Sequence, residues 1–226
     1  MIKTVIFDID GTLYDYNAGN RIGMAALGAY CQEQFGLDEN TFRETFSWAN
    51  QEMGRRIGMP CAAIHNRLIR YQLMLEKLGA PLFPHARTMY HVYWDTLVGN
   101  MQPFDGLLAW MRQLKRDGIQ IGIGSNMTAY IQYKKLEKLG VTPYIDWIVT
   151  SEEAGCEKPE RRFFELCIAK SGVQPEECLF VGDSLEGDIK GAAAAGMQTL
   201  QFVPDATEPG IGKQIRSYRE CLREEA

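Results

Sequence analysis

The sequence has few histidines, no long apolar run and no concentration of basic residues. Its 226 residues include three histidines, and the 24 Lys and Arg are outnumbered by the 29 Asp and Glu. A net charge of −5 without a basic stripe argues against binding to a nucleic acid polymer. No segment approaches the roughly 20 apolar residues that cross a membrane. We therefore expect neither a nucleic acid nor a membrane partner.

The six cysteines are spread along the chain without any CxxC pair. No histidine lies near the last four cysteines, so the sequence supports neither a zinc site nor a disulfide framework. In the first ten residues, MIKTVIFDID, the apolar run is short and ends in acidic residues. This pattern is unlike that of a signal peptide. We expect reduced thiols, a cytoplasmic location, and a monomer or a homodimer.

Strand-like and helix-like segments alternate in most of the chain. A composition of 46% hydrophobic and 23% charged residues is ordinary for a soluble globular protein. Amphipathic helical segments separate the later strand-like segments, and this alternation predicts βαβ units and a parallel sheet. The predicted strands are Thr4–Ile9, Gln120–Gly124, Trp147–Thr150, Cys178–Gly182 and Thr199–Val203.

The region between the first two predicted strands breaks this alternation. Its apolar residues recur at spacings of three and four, which predicts helices only. These helices are Asn17–Phe35, Glu39–Gly58, Cys61–Leu78 and His85–Val98. The predicted fold is α/β, with a three-layer, Rossmann-like parallel sheet core formed by residues 1–14 and 101–226. An all-helical cap, residues 15–100, is inserted into that core.

Polar side chains follow the predicted strands at the edge where open α/β sheets bind ligands. Ligands of such sheets gather beyond the carboxyl ends of the strands. Each polar residue alone could be a turn residue or a helix cap, but four sets at one edge favour a functional site. The sets are Asp8 with Asp10, Ser125 with Asn126, Lys158 before a helix, and Asp183 with nearby Asp188.

This combination of side chains suits a phosphate group and a hard cation. Carboxylates alone would repel a phosphate dianion, so they imply a divalent cation, and Mg²⁺ prefers oxygen ligands. Lys158 supplies a point charge, while the Ser125 hydroxyl and the Asn126 amide can donate hydrogen bonds to phosphoryl oxygens. The helix that starts near Met127 presents unpaired N–H groups to the same anion.

Four short motifs resemble those of the haloacid dehalogenase superfamily of phosphohydrolases. They are DIDGT at 8–12, SN at 125–126, Lys158 in EKP, and GDSLEGD at 182–188. The motifs occur in the family's order, with the cap between motifs one and two. SEEAGCEKPERRFF and VGDSLEGDIKGA are similar to the subgroup of pyrimidine 5′-nucleotidases and N-acylneuraminate-9-phosphatases. Met127 departs from the family's motif two, in which a glycine often follows the Ser/Thr-Asn pair.

The resemblance implies a role for each matching position. Asp8 would be the nucleophile that forms an aspartyl-phosphate, and Asp10 the general acid and then the general base. Asp10 also argues for a phosphate ester, because a departing alkoxide needs a proton and a halide does not. Asp188 would steer the metal-bound waters or Lys158. The implied ligands are Asp8, the Asp10 backbone carbonyl and Asp183 for Mg²⁺, and Ser125, Asn126 and Lys158 for phosphate.

The sequence therefore predicts a Mg²⁺-dependent phosphatase of a small phosphorylated metabolite, either a 5′-nucleotidase or a sugar phosphatase. A phosphomutase or phosphotransferase would use the same motifs and stays an alternative. GDSL at 182–185 also matches a serine esterase signature, with Ser184 as nucleophile, but all three histidines lie upstream in the predicted cap. A phosphate-binding receiver domain is disfavoured, because it carries its acceptor Asp on a later strand and has no cap.

A helical cap favours small soluble metabolites over phosphoproteins as substrates. The cap and its approach contain several polar side chains that could contact such a metabolite. We expect most of them to lie on a solvated face. These candidates are Tyr14, Tyr16, Arg21, Arg55, Arg56, His65, Arg67 and Arg70.

Overall fold

The computed structural model of the protein describes residues 1–205 and 212–223, so residues 206–211 and 224–226 of the predicted core lie outside it. The chain folds into two compact units, Met1–Asp15 with Gln102–Ala226, and Tyr16–Met101. We call the first the sheet unit and the second, which contains only helices, the helical unit. In the described part of the chain, no helix combines the length and apolarity that crossing a bilayer requires.

The sheet unit contains six parallel strands in the order β3-β2-β1-β4-β5-β6. They are β1 Thr4–Phe7, β2 Gln120–Ser125, β3 Trp147–Thr150, β4 Cys178–Gly182, β5 Gln198–Phe202 and β6 Gln214–Ile215. The first five strands confirm the predicted ones, with ends that shift by two residues or fewer. The sequence did not indicate β6, because a two-residue strand has no periodic pattern. The predicted Rossmann-like parallel sheet is confirmed.

The helical unit has four α-helices: α1 Tyr16–Phe35, α2 Glu39–Ile57, α3 Arg67–Leu78 and α4 His85–Gly99. Three of them confirm the predicted helices. The prediction of one continuous helix over Cys61–Leu78 is wrong, because Ala62–His65 is a separate 3₁₀ turn and α3 begins at Arg67. Asn66 sets that start, since its side-chain oxygen accepts two N–H groups of the first turn.

The remaining helices flank the sheet, as expected for an α/β protein. They are α5 Leu107–Arg116, α6 Ala129–Leu139, α7 Ser151–Ala154, α8 Arg161–Ser171, a π-helical segment Leu185–Lys190, and α9 Gly191–Ala194. They lie between the strands of the sheet unit, where the sequence predicts helical segments.

Neighbouring residues of β1 pack on opposite faces of the sheet, because strand side chains alternate. Ile6 belongs to a buried cluster that includes Phe164 and Phe180. Phe7 packs on the other face, where its ring centroid lies 5.3 Å from that of Trp110. Both faces of the central strand are therefore covered by apolar side chains, which fixes the position of the residues that follow it.

Tyr218 anchors the C-terminal segment beneath the turn that follows β1. Its ring is fully buried and stacks on Phe202 with the centroids 4.6 Å apart. Its hydroxyl donates a hydrogen bond of 2.8 Å to the carbonyl oxygen of Thr12. Residues at opposite ends of the sequence thus hold the same turn in place.

Gly122 of β2 is required by a close approach of the neighbouring strand. It lies opposite Trp147 of β3, and a Cβ atom at this position would be 2.3 Å from the indole ring. Gly122→Ala should lower the free energy of unfolding by about 1–3 kcal/mol through overpacking. Urea unfolding followed by circular dichroism measures this change.

Gly54→Ala is the matched control, since Gly54 lies within α2 and its Cβ position has no atom within 4 Å. This substitution should raise the free energy of unfolding by roughly 0.5–1 kcal/mol, because alanine is the better helix former. Equal changes at the two glycines would contradict the packing described for β2 and β3.

Candidate active site

Asp8 follows the central strand and lies between the ends of two neighbouring strands. Phe7 is in register with Ile123 of β2 and with Val181 of β4. The backbone N–H of Asp8 continues this pairing with a 2.9 Å hydrogen bond to the Val181 carbonyl oxygen. Ser125 ends β2 and Asp183 directly follows β4, so the sheet brings the side chains of three separate segments to one edge.

Lys158 joins two carboxylates in the buried part of this edge. Its Nζ donates to Asp8 Oδ1 and to Asp188 Oδ1, each at 2.6 Å, and to the Gly124 carbonyl oxygen at 3.0 Å. The lysine side chain is 5% exposed. Burial alone would lower the pKa of Lys158, but the Asp188 and Asp8 carboxylates raise it above its ordinary value. Buried charges of this kind are stable only when they are paired.

Ser125 and Asn126 hold the groups that surround Asp8. Ser125 Oγ donates to Asp8 Oδ1 at 2.9 Å and itself accepts a bond from Gln132 Nε2 at 2.8 Å. Asn126 Oδ1 accepts the backbone N–H of Lys158 at 2.9 Å, and its Nδ2 donates to the Lys158 carbonyl oxygen at 3.4 Å. Asn126 therefore fixes the loop that carries Lys158, and its contact with phosphate stays a prediction.

Met127 occupies a backbone conformation that favours glycine. Its φ angle is 148°, in a region that side-chain-bearing residues seldom adopt. Its N–H donates to Ser151 Oγ at 2.9 Å. The departure from the Ser/Thr-Asn-Gly pattern thus coincides with the point where the chain turns sharply out of β2.

Three carboxylates form the group that could hold a cation. Asp8, Asp183 and Asp188 each offer an oxygen, and these oxygens lie within 4.8 Å of one another. Burial, followed by the charges of neighbouring carboxylates, raises the pKa of Asp8 to about 7 and that of Asp183 to about 6, although Lys158 opposes both shifts. A divalent cation would offset this repulsion, and an all-oxygen donor set suits Mg²⁺. The residues present therefore fit the predicted metal.

Gly11 allows Asp183 to reach this group. It has a φ angle of +86°, and a Cβ atom at this position would lie 2.5 Å from Asp183 Oδ2. No other residue could occupy the turn without displacing that carboxylate. The glycine of the DIDGT motif is thus explained by a close approach across the site.

Asp10 has a different partner from Asp8, although the two are close in sequence. Lys135 Nζ lies 2.6 and 2.7 Å from the two carboxylate oxygens of Asp10, and the Tyr14 hydroxyl donates to the same group. Burial would raise the pKa of Asp10, but the Lys135 ammonium lowers it below its ordinary value. The Asp10 carboxylate binds Lys135. The expectation that the Asp10 backbone carbonyl binds the cation stays a prediction.

Lys135 and Gln132 were not among the predicted site residues. Both are fully buried, and they share a face of α6 with apolar side chains that pack into the sheet unit. Two polar residues on the apolar face of an amphipathic helix are a detectable sequence signal, because polar groups are buried only with partners. The two residues of that signal follow Asn126, the end of the SN motif, by six and by nine residues.

Ser184 acts as a helix cap in this structure. Its Oγ accepts the backbone N–H of Gly187 at 3.0 Å at the start of the segment Leu185–Lys190. All three histidines of the chain belong to the helical unit rather than to the sheet unit that carries Ser184. The arrangement of GDSL is that of an N-cap, which argues against the serine esterase alternative.

The model of the haloacid dehalogenase-like hydrolases matches residues 2–196 of the chain. The ribulose-1,5-bisphosphate 5-phosphatase of Halopiger xanaduensis is 37% identical over 92% of this chain and 89% of its own length. The glyceraldehyde 3-phosphate phosphatase of Methanopyrus kandleri is 32% identical over 89% of this chain and 84% of its own length.

The solved structure of the HAD-hydrolase YfnB from Bacillus subtilis, which contains magnesium, is similar along nearly the whole chain. The TM-score is 0.70 at 25% identity, and the match covers 97% of this chain and 96% of the other. Human N-acylneuraminate-9-phosphatase is 25% identical over 89% of this chain and 82% of its own length. The resemblance to the superfamily and to N-acylneuraminate-9-phosphatases is confirmed.

Proposed function

The chain belongs to the haloacid dehalogenase-like hydrolases, and from this we propose that it is a Mg²⁺-dependent phosphatase of a small phosphomonoester. The observation that carries the proposal is the contact of buried Asp8 with Lys158 and Ser125, beside Asp183 and Asp188. The names of the two relatives from Halopiger and Methanopyrus support a sugar phosphate as substrate, in preference to a nucleotide.

Asp8 and Asp183 would hold the Mg²⁺ ion, together with the Asp10 backbone carbonyl. When bound, the ion supplies positive charge that lets an anionic carboxylate and an anionic phosphate approach each other. Both oxygens of Asp188 already accept hydrogen bonds, from Lys158 and from the Ser184 N–H at 3.1 Å. Asp188 therefore serves to orient Lys158.

The reaction proceeds in two displacements at phosphorus. A carboxylate oxygen of Asp8 attacks, the new Asp8–phosphorus bond forms, and the ester P–O bond breaks. In this step Asp10 acts in its protonated form: it gives the proton to the leaving oxygen and becomes the carboxylate that Lys135 stabilises. Water then attacks the aspartyl-phosphate and Asp10 removes its proton, so that Asp8 is released together with inorganic phosphate. Lys158 and Ser125 keep Asp8 in one orientation throughout, and Lys158 offsets negative charge on the transferred group.

Lys135 determines where the proton-transferring group sits. It contacts both oxygens of Asp10 and is itself completely buried. A carboxylate held on both sides loses its rotational freedom, which keeps it in place for both proton transfers. Lys135 also favours the ionised form of Asp10, the form that accepts the proton from water.

The direct test is hydrolysis of a panel of phosphomonoesters that contains ribulose 1,5-bisphosphate, D-glyceraldehyde 3-phosphate and nucleoside monophosphates. Release of inorganic phosphate should depend on Mg²⁺, stop in excess EDTA and resume when Mg²⁺ is added back. Asp183→Asn should weaken the response to Mg²⁺, because it removes a carboxylate ligand. Full activity in excess chelator would contradict the proposal, and phosphoryl transfer to another sugar instead of water would indicate a phosphomutase or phosphotransferase.

Substitution of the two acids of DIDGT should give different signatures. Asp8→Asn removes the attacking oxygen and should abolish turnover of p-nitrophenyl phosphate. Asp10→Asn keeps the nucleophile but loses the general base, which typically contributes 10²–10⁴-fold. Because p-nitrophenolate leaves without a proton, this variant should release a burst of nitrophenol and then stall with a phosphoryl group on Asp8. Mass spectrometry of the stalled protein locates the label, and a label on Ser184 would contradict the assigned roles.

Lys135→Met should impair catalysis according to the leaving group. Asp10 then loses the contact that orients it, so kcat for an alkyl phosphate should fall by about tenfold or more, as part of the general acid–base contribution. The loss should be smaller for p-nitrophenyl phosphate. Lys138→Met, at an exposed position of the same helix, is the control and should leave both rates unchanged. Equal losses with both substrates would assign Lys135 a role in stability alone.

A further inference from the structure

Gln132 of α6 is a polar side chain enclosed within the sheet unit, next to the end of β2. It is fully buried, and its Nε2 donates to Ser125 Oγ at 2.8 Å and to the Asn126 carbonyl oxygen at 3.2 Å. Its Oε1 is buried too and has no hydrogen-bond partner among the residues that the structure describes. An unpaired buried acceptor is unfavourable, so what Gln132 contributes at this place comes from its amide nitrogen.

The Asn126 carbonyl oxygen determines which end of the Gln132 amide faces β2. A carbonyl oxygen only accepts hydrogen bonds, so the amide atom that lies 3.2 Å from it is the nitrogen. A reversed amide would bring two acceptor oxygens together. The Asn126 carbonyl lies at the sharp turn after β2, where Met127 has a φ angle of 148° and donates its N–H to Ser151 Oγ. The backbone turn therefore sets the orientation of the amide.

The amide orientation in turn sets the direction of the Ser125 hydroxyl hydrogen. A serine hydroxyl has one hydrogen to donate and lone pairs that accept. Because Gln132 Nε2 donates to Ser125 Oγ, that hydrogen points away from the amide and to Asp8 Oδ1, which lies 2.9 Å from Oγ. Lys158 Nζ donates to the same Asp8 oxygen. A reversed amide would accept the hydroxyl hydrogen and turn it away from Asp8.

We propose that Gln132 is a positioning residue that directs the Ser125 hydroxyl hydrogen, first to Asp8 and then to an oxygen of the transferred phosphoryl group. This inference rests on the proposed function, in which Asp8 forms a bond to phosphorus. A donor whose direction is fixed in advance does not reorganise during the reaction, and such donors stabilise a transition state most. In this role Gln132 acts through Ser125.

A second route from Gln132 to the reaction leads through Asp10. Burial raises the pKa of Asp10, the Lys135 ammonium lowers it, and Gln132 is among the weaker groups that lower it further. An effect through Asp10 would depend on the leaving group, because a departing alkoxide needs a proton and p-nitrophenolate does not. An effect through Ser125 is the same for both leaving groups, so a comparison of the two separates the routes.

A double-mutant cycle measures how much of the effect of Gln132 passes through Ser125. Gln132→Met keeps the size of the side chain and removes the donor. It should lower kcat/KM about tenfold for p-nitrophenyl phosphate and equally for an alkyl phosphate, which is part of the about 10²–10³-fold that one fixed donor contributes. In protein that carries Ser125→Ala, the same substitution should change kcat/KM by less than about twofold, because the hydroxyl is absent.

Ile131→Met is the matched control for this cycle. It places methionine at the neighbouring position of α6, where the side chain is also buried but apolar. Its kcat/KM should stay within about twofold of the wild-type value, because apolar exchanges of similar volume are tolerated. A tenfold loss from Gln132→Met that persists beside Ser125→Ala would overturn the proposal. A loss confined to the alkyl phosphate would assign the effect to Asp10 and overturn it as well.

NMR spectroscopy tests the hydrogen bonds of the amide without turnover. In protein labelled with ¹⁵N-glutamine, the side-chain N–H signals of Gln132 are assigned by substitution, with Gln132→Leu as a second variant if Gln132→Met does not fold. Each amide hydrogen has its own acceptor, so Ser125→Ala should shift one of the two signals and leave the other in place. If neither signal shifts, Gln132 does not donate to Ser125 and the proposal fails.

The two readouts distinguish this proposal from the proposed function. A protein that hydrolyses no phosphomonoester, but in which Ser125→Ala shifts one Gln132 signal, would refute the phosphatase and leave the directed hydroxyl standing. An active phosphatase in which the losses from Gln132→Met and Ser125→Ala are additive would keep the proposed function and refute the role of Gln132.

Discussion

The buried contact of Lys158 with Asp8 and Asp188 is the constraint on which the remainder of the site depends. The three side chains come from the end of β1, the loop before α8 and the segment after β4. None of these charges is stable in the interior alone, so the site exists only when all three segments are in place. The central position of β1 and the tyrosine that supports the following turn serve this requirement.

Two lysines give the two acids of DIDGT different electrostatic surroundings. Asp8 shares Lys158 with Asp188 and lies near further carboxylates, and the pKa of Asp8 is raised to about 7. Asp10 is paired with Lys135, and its pKa is lowered. Positive charge at the carboxylate cluster would favour ionised Asp8, the form that attacks phosphorus. Two acids separated by one residue can thus perform different chemistry because their charged neighbours differ.

The sequence allowed prediction of the strands and of the motifs that directly follow them. A residue next to a buried parallel strand has its place set by the sheet, so the positions of Asp8, Ser125 and Asp183 at one edge could be predicted without a structure. The position of Lys135 on the apolar face of α6 signals its burial, but its contact with Asp10 depends on the rotation of that helix against the sheet, which local sequence does not fix. The predicted start of α3 was wrong because apolar periodicity continues through Asn66. The backbone N–H of Asn66 closes the 3₁₀ turn on the Ala63 carbonyl oxygen, and its side chain caps the start of α3.

The proposed phosphatase reaction passes through a covalent bond between Asp8 and phosphorus. The most direct measurement is to quench wild-type protein during turnover of a phosphomonoester with Mg²⁺, and to treat it with borohydride, which reduces an acyl phosphate to an alcohol. Peptide mass spectrometry should then find homoserine in place of Asp8, and only when substrate was present. Unmodified Asp8 under conditions of rapid turnover, or reduction at another carboxylate, would contradict the account.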